Sequence, residues 1–430
     1  MFIKFSLFSL FFVFLFNSFA FANNTSFGTN ALASLTTGYS NTAVGYNSLY
    51  SNTTGYDNTA LGAQSLQSNT TGIKNTAIGM DSMRSNTTGQ YNTAVGHDSL
   101  VFNTTGDENT AVGKNSLENN TTGSYNTAIG NNALEFNTTG YQNTALGNDT
   151  LQENTTGSYN TAIGQDALEE NTTGHRNSSI GAYSLANNTT GYSNTANGFA
   201  SMYDVTTGYE NTASGRGSLA RSTTGSTNTA IGFYSMLYST TGTSNTVVGH
   251  ESLKNNTIGS QNTVFGKQAG YSNLTGSGNV FLGYQAGYNE TGSNKLYIDN
   301  SNTSTPLIHG DFDADKVTIN GDMTVTGALK ANSVTFVGEV NVPNPKSSSN
   351  AANKGYVDTM GAISMAMASA TVTNKGDGSY IGVGSALVEG EGALAAGFTY
   401  QKENKFVNVS FSYHRLMGNP VVSSGIGWKF

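Results

Sequence analysis

Few residues of this 430-residue chain could carry chemistry, and none is grouped as a catalytic site would require. His97 and His250 occupy the same variable position of a repeat, which favours solvated surface sites over a metal ligand or general base. Gly382-x-Gly384 precedes no helical pattern, so it lacks the context of a dinucleotide-binding loop. Gly376-Asp377-Gly378 resembles a calcium-binding turn, but the repeated Gly-Gly-x-Gly-x-Asp pattern is missing from the sequence. The sequence therefore predicts no catalytic residue, no cofactor and no metal.

Two further kinds of site are disfavoured by the distribution of polar residues. Sequons such as Asn52-Thr53-Thr54 could accept glycans, but their regular recurrence favours structural turns. A glycan-degrading β-helix enzyme would need clustered carboxylates in a groove, whereas the acidic residues here lie at variable positions. The net charge of −8 and the scattered 19 Lys and Arg residues argue against nucleic acid as a partner.

The elements that would position any site are set by a repeat. The phrase Asn41-Thr42-Ala43-Val44-Gly45 returns every 17 residues from Asn24 to Asn279, giving 16 coils. Position one is always Asn and position five always Gly. Position nine is Leu or Met as far as Leu253, and a second Gly usually closes the coil at position fifteen. The residues we single out for the repeat are Asn41, Gly45, Asn58, Gly62, Asn126 and Gly130.

A period of 17 residues with two glycines is too short for helical repeats or propeller blades and fits a β-solenoid. We expect two short strands and two turns in each coil. In the Asn-Thr-Ala-Val-Gly phrase, the strand period of two places Thr and Val on one face and Ala on the other. At position five we expect a positive φ or a close backbone approach, since only Gly occurs there.

The core and the Asn rows leave two questions open. Three apolar positions per coil make a thin core for one chain, so lateral association of several rods would bury more Ala, Val and Leu surface. The recurring Asn can form a ladder of side-chain hydrogen bonds along the axis, or it can simply supply turns.

Residues 1–22 read as a secretory signal peptide, with Lys4, an aromatic-rich apolar run and Ala20-Phe21-Ala22 as the cleavage site. A transmembrane anchor is the alternative, but Asn17 and Ser18 interrupt the run and no stop-transfer charges follow it. The chain contains no cysteine, so an exported protein would rely on stacking or assembly rather than disulfides.

The solenoid is expected over residues 23–295, followed by a connector at 296–350 with strand-like pieces at 316–319 and 333–336. Pro343 and Pro345 mark a boundary. Within the last unit, 351–430, Tyr356, Met360, Ile363, Met367 and Ala370 form the apolar seam of a helix at 351–370.

Residues 379–430 contain four segments of about ten residues that alternate apolar with small or polar residues. This pattern is typical of transmembrane β-strands, although a soluble four-stranded meander is the alternative. Four strands cannot close in lipid, so a barrel would be shared, with eight strands from two chains or twelve from three.

The last 75 or so residues resemble the membrane anchor of trimeric autotransporter adhesins, the YadA-like family. The resemblance lies in Met360-Gly361-Ala362-Ile363-Ser364-Met365-Ala366-Met367, in Gly382-Val383-Gly384, in Glu391-Gly392-Ala393-Leu394-Ala395-Ala396-Gly397 and in Gly425-Ile426-Gly427-Trp428-Lys429-Phe430. Its anchor positions are Gly382, Gly384, Gly397, Gly425, Trp428 and Phe430. The Asn-Thr-Ala-Ile-Gly coils are similar to the head repeats of the same family, and phage tail fibres carry similar coils.

The resemblance implies a left-handed parallel β-roll head in three copies and a twelve-stranded outer-membrane barrel with three helices in its lumen. It also implies a homotrimer at the cell surface that contacts outer-membrane lipid, the barrel-assembly machinery, and host matrix, host cells or abiotic surfaces. The coil is longer than the family's usual head coil, and a long heptad stalk is missing. The alternative is a structural fibre of phage tail-fibre type, because residues 283–312 resemble sequences that precede the chaperone domain of such fibres.

Overall fold

A computed structural model describes residues 23–333, 335 and 337, together with the backbone of four C-terminal strands at 378–388, 391–402, 405–414 and 421–428. The chain divides into two compact units, Met1–Thr324 and Val325–Phe430. The described residues are mainly β and form no helix. The predicted signal peptide at 1–22 and the predicted helix at 351–370 lie outside them.

The first unit is a parallel β-solenoid, which confirms the prediction from the period. Each coil contributes one strand of three residues, and each strand pairs in parallel with the equivalent residues 17 positions on, for example Ala43 with Ala60. The strands are β1 (Thr25–Phe27), β2 (Thr42–Val44), β3 (Thr59–Leu61), β4 (Thr76–Ile78), β5 (Thr93–Val95), β6 (Thr110–Val112), β7 (Thr127–Ile129), β8 (Thr144–Leu146), β9 (Thr161–Ile163), β10 (Ser178–Ile180), β11 (Thr195–Asn197), β12 (Thr212–Ser214), β13 (Thr229–Ile231), β14 (Thr246–Val248), β15 (Thr263–Phe265) and β16 (Val280–Leu282).

The prediction of two strands per coil is wrong, because the remainder of each coil is a series of turns. Position seven, position nine and position seventeen adopt left-handed backbone angles, with φ of 54° at Asn47, 48° at Leu49 and 57° at Asp57. Three left-handed residues in one coil turn the chain too sharply for a second extended segment. Neighbouring coils still hydrogen-bond along these turns, as Asn47 N does to Thr29 O at 3.0 Å.

The core is narrower than three apolar positions per coil. Position three, usually Ala, and position nine, usually Leu or Met, are fully buried, as Ala43 and Leu49 are. Position four is not in the core, because the strand alternates and directs Val or Ile outward with Thr, as its half-buried or exposed class records. A stack of Ala and Leu therefore fills the solenoid interior.

The last coil passes into a short antiparallel cap. β17 (Lys295–Ile298) pairs in parallel with β16, Val280 lying opposite Leu296, so this coil is one residue shorter than the rest. β18 (Ile308–Asp311) and β19 (Lys316–Ile319) then continue antiparallel. Lys295 Nζ lies 2.8 Å from Asp311 Oδ2 across the first of these pairs. The strand predicted at 316–319 is confirmed, and the piece predicted at 333–336 falls partly outside the described residues.

The second unit contains a four-stranded antiparallel meander. Its strands are β20 (Gly378–Val388), β21 (Glu391–Lys402), β22 (Lys405–His414) and β23 (Val421–Trp428). Pairing runs in chain order, and within the described residues β20 and β23 have one strand neighbour each. Both outer strands thus present an edge.

Candidate functional site

Position one forms a buried hydrogen-bond ladder through the solenoid. The backbone N–H of Asn58 donates to Asn41 Oδ1 at 3.0 Å, and the Asn58 Nδ2 donates to Gly72 O at 2.9 Å. The same arrangement recurs at Asn126, whose N–H donates to Asn109 Oδ1 and whose amide donates to Gly140 O. Of the two interpretations left open by the sequence, the structure contains the ladder. It ties the strand start of one coil to the glycine turn of the next.

A second Asn ladder runs along position twelve, and the sequence analysis did not anticipate it. Asn69 Nδ2 donates to Asn52 Oδ1 at 2.8 Å, and equivalent bonds continue to Asn188. These asparagines are the first residues of the sequons, and they are fully buried. The recurrence of Asn six positions before the next Asn phrase, unbroken from Asn52 to Asn188, would have been the signal. Buried amides of this kind serve structure rather than glycan attachment.

The position-five glycines combine both features expected of them. Gly130 has φ +146°, and a Cβ built on it would lie 2.0 Å from Gly147 O. At Gly45 the equivalent contact with Gly62 O is 2.3 Å, at φ +137°. A side chain here would therefore strike the backbone of the next coil. These repeat residues hold the scaffold and leave ligand contacts to the outer positions.

An outer apolar row follows position four along the solenoid surface. Leu61 is 46% exposed and Ile129 39% exposed, and the in-register strands place each member beside the next. The members of the row are Phe27, Val44, Leu61, Ile78, Val95, Val112, Ile129, Leu146, Ile163, Ile180, Ile231, Val248, Phe265 and Leu282. A continuous apolar strip of this length on a solvated surface marks an interaction face.

Two coils interrupt the outer apolar row and change the neighbouring surface as well. Asn197 and Ser214 replace the aliphatic residues and pair in register with each other. Two residues further along the coils lies a cation–aromatic row, formed by Phe199, Arg216, Phe233 and His250 at position six. The Arg216 Cζ is 5.5 Å from the Phe199 ring centroid, and the rings of Phe233 and His250 stack at 5.0 Å. Sequence analysis noted the interruption but missed this row.

Other exposed aromatic residues stack along the axis at position sixteen. Tyr39 lies over Tyr56 with centroids 4.8 Å apart, and His175, Tyr192 and Tyr209 form a continuous stack with spacings of 5.2 and 5.0 Å. Each ring covers a face of its neighbour, so these stacks offer mostly ring edges to solvent. Such contacts stabilise neighbouring coils by about 0.5–1.5 kcal/mol per pair.

Carboxylates concentrate on coils 6 to 9. Partial burial raises the pKa of Glu153, and the charges of Glu170 and Glu135 raise it further. Burial likewise raises the pKa of Glu169, with a contribution from Asp166. Across the part of the chain that the structure describes, no three His, Cys, Asp or Glu side chains are placed to hold a metal ion. This face carries negative charge without forming a defined ion site.

The two histidines of position six are half-exposed and contact the acidic residue that follows each. His97 Nδ1 lies 2.6 Å from Asp98 Oδ2, and His250 Nδ1 lies 3.8 Å from Glu251 Oε2. Glu251 is also held by Lys254 at 2.6 Å, and this hydrogen bond lowers the pKa of the Glu251 carboxyl. Neither histidine is brought to a second basic or nucleophilic side chain by the fold.

The register of the C-terminal strands places small residues opposite small residues. Gly382 pairs with Gly397, Gly384 pairs with Ala395, and Gly425 pairs with Asn408. Pairs of larger residues alternate with these, such as Ile381 with Phe398. Trp428 pairs with Lys405, whereas Phe430 lies outside the described residues. All four strands therefore share one face of small and polar residues.

No family model matches this chain, no curated protein matches it, and no solved structure matches it. Among the described residues there is no helix whose length and apolar character would allow it to cross a membrane. The function is consequently argued from the two units themselves.

Proposed function

We propose that the chain is a bacterial cell-surface adhesin of the trimeric autotransporter type. In this proposal the four C-terminal strands of three copies close a twelve-stranded outer-membrane barrel, and the solenoid is the exported head. The observation that carries it is the register of β20 to β23, which keeps small residues on one face through all four strands. In a barrel this face lines the lumen and the apolar face meets lipid.

The edges of the meander support association of several copies. Outer strands with unpaired backbone groups cannot remain in lipid, so β20 of one copy pairs with β23 of another. Four strands are too few for one chain, and three copies give twelve. The outer apolar row of the head supports the same assembly, because contact between copies buries aliphatic side chains such as Ile129 that one chain leaves 39% exposed.

The head supports adhesion rather than catalysis. Its surface is repetitive, weakly charged and polar, with exposed Thr, Tyr and Asn recurring at the spacing of the coils. Such a surface offers many equivalent contacts to a host matrix, a host cell or an abiotic surface, and multiple weak contacts bind strongly together. The proposed location is the outer membrane and cell surface, with the signal peptide at 1–22 directing export.

A structural fibre of phage tail-fibre type is the second candidate. The antiparallel cap of β17, β18 and β19 favours it, because a cap that ends a solenoid suits a fibre built of successive segments. The two candidates differ in location, since a fibre protein would not be held in the outer membrane of the cell that makes it.

Fractionation and surface labelling of intact cells test the proposal directly. We expect the protein in the outer-membrane fraction, accessible to antibody, and migrating as a trimer in mild detergent until strong denaturation yields monomer. Cells that carry it should attach to coated surfaces better than cells that lack it. A purified, folded protein that sediments as a monomer, or a protein absent from the surface, would contradict the proposal.

A further inference from the structure

We infer that Arg216 and the side chains around it bind the carboxylate group of an acidic glycan. This inference rests on the adhesin function proposed above and assigns that function a site in coils 11 to 13 and a ligand class. It comes from one basic side chain that is placed differently from the other cations of the solenoid.

Arg216 is held by aromatic rings rather than by an acid. Its Cζ lies 5.5 Å from the Phe199 centroid and 6.0 Å from the centroids of Phe233 and Tyr234. The side chain is exposed. Among the described residues no carboxylate lies within ion-pair distance of it and no acceptor takes a hydrogen bond from its guanidinium. By contrast, Arg221 in the same coil pairs with Asp204 at 3.0 Å.

A guanidinium stacked between rings is oriented without using its hydrogen-bond donors. The rings contact its flat faces, while its N–H groups remain at the edge, where they fit the two oxygens of a carboxylate. Because the rings already restrict the side chain, little conformational freedom is lost when an anion binds. The arrangement is therefore suited to hold a carboxylate from outside the chain.

The surroundings of Arg216 indicate a sugar. Phe199 is 49% exposed, and the residue at position six of the preceding coil is Ala182, which covers little of a ring. An exposed ring of this kind packs against the apolar face of a pyranose, because its C–H groups meet the π face.

Asn197 and Ser214 supply uncharged hydrogen-bonding groups in the same two coils. Neither side chain has a hydrogen-bond partner among the described residues, and their backbones pair directly. Amide and hydroxyl groups suit sugar hydroxyls, and the absence of an aliphatic side chain here interrupts the apolar contact surface. An acidic peptide would satisfy Arg216 but would not use both the exposed ring and these neutral groups.

The test measures binding of the full chain, purified in mild detergent, to immobilised polygalacturonate and to its methyl ester. The ester keeps the sugar backbone and removes the charge. We expect binding to polygalacturonate that weakens as salt rises, and little binding to the ester. Arg216→Gln should lower the affinity at least about tenfold, since a hydrogen-bonded charge pair is lost.

Arg221→Gln is the matched control, because it removes the same charge from the same coil and should change the affinity less than about twofold. Phe199→Ala should weaken binding, whereas Phe136→Ala, which removes a comparably accessible Phe at 39% exposure, should not. Arg216→Lys keeps the charge without the fork and should retain only part of the affinity.

Equal affinity for the acid and its ester, or equal effects of the two Arg substitutions, would overturn the inference. Stronger binding to dextran sulfate or to polyglutamate than to polygalacturonate would overturn the glycan assignment. The proposed adhesin function is judged separately by surface display and trimer formation. Cells that display Arg216→Gln and attach as well as wild type would sink the site and leave the adhesin intact.

Discussion

The ring of Phe281 occupies the space that a side chain at Gly270 would need. A Cβ built on Gly270 would lie 2.6 Å from Phe281 Cδ2, and one built on Gly287 would lie 2.6 Å from Phe281 Cδ1. Position nine holds a buried Leu or Met in the preceding coils, and in these two coils it holds Gly with φ of +64° and +61°. One large residue at position three thus replaces two at position nine.

This relationship predicts a compensating pair of substitutions. Gly270→Leu alone should destabilise the C-terminal coils, because the new side chain overlaps the Phe281 ring. Phe281→Ala alone should cost about 3–5 kcal/mol by leaving a cavity. In the double variant the introduced leucine refills part of that cavity, so the combined loss should be smaller than the sum. Thermal unfolding followed by circular dichroism measures all three, and strict additivity would refute the exchange of core volume.

The example shows what the sequence can and cannot specify. The recurrence of Gly45 and its equivalents, with an Ala-centred strand phrase, sufficed to predict a solenoid. It did not predict the left-handed conformation of Leu49, since a branched side chain rarely adopts φ near 50° and nothing local marks it. The turns after position five depend on that conformation, and the strand before them directs Val44 outward, so the apolar count overestimated the core. The Arg216 cluster needed contacts between coils that are 17 residues apart.

Val205 interrupts the second Asn ladder and predicts a stabilising substitution. In the described part of the chain, the buried Oδ1 of Asn188 has no hydrogen-bond donor, and the buried Oγ of Ser222 has no partner either. The amide introduced by Val205→Asn would lie between these two groups, donate to Asn188 and accept from Ser222. Satisfying both groups should outweigh the lost aliphatic burial and stabilise by about 1 kcal/mol.

The reverse substitution provides the control. Asn120→Val in the intact ladder should destabilise by about 1–3 kcal/mol, because Asn103 Oδ1 loses the donor that lies 2.8 Å away. Melting temperatures of the two variants therefore shift in opposite directions. A lower melting temperature for Val205→Asn would show that the ladder contributes less than side-chain burial.

The carboxylates of coils 6 to 9 predict a stability that falls with rising pH. Burial and neighbouring charges raise the pKa of Glu118, Glu153 and Glu169. The folded state therefore binds their protons more tightly than the unfolded state, whose glutamates titrate at about 4.3. The stabilisation is fully present below that pH and is lost as the pH rises through the folded-state values.

Substitution isolates this effect from carboxylates shifted the other way, such as Asp311, whose pKa is lowered by Lys295. Glu153→Gln with Glu169→Gln should raise the melting temperature at pH 7 and reduce its change between pH 7 and pH 4, since the repelling charges are gone. Glu210→Gln is the control, because the same position of the adjacent coils holds Ser193 and Thr227. An unchanged pH profile in the double variant would refute the assignment.

Gly384 and Val383 test the faces of the proposed barrel. Gly384 pairs with Ala395 and belongs to the small face, whereas Val383 belongs to the opposite one. In a twelve-stranded barrel of three copies, Gly384→Phe adds three bulky groups to a lumen that the predicted helices at 351–370 would fill. Overpacking of this kind costs about 1–3 kcal/mol per chain, so little trimer should reach the surface. Val383→Phe exchanges one lipid contact for another and should assemble nearly as wild type does. Antibody labelling of intact cells and the trimer band in mild detergent measure both variants, and equal assembly of the two would show that the inner and outer faces have been assigned wrongly.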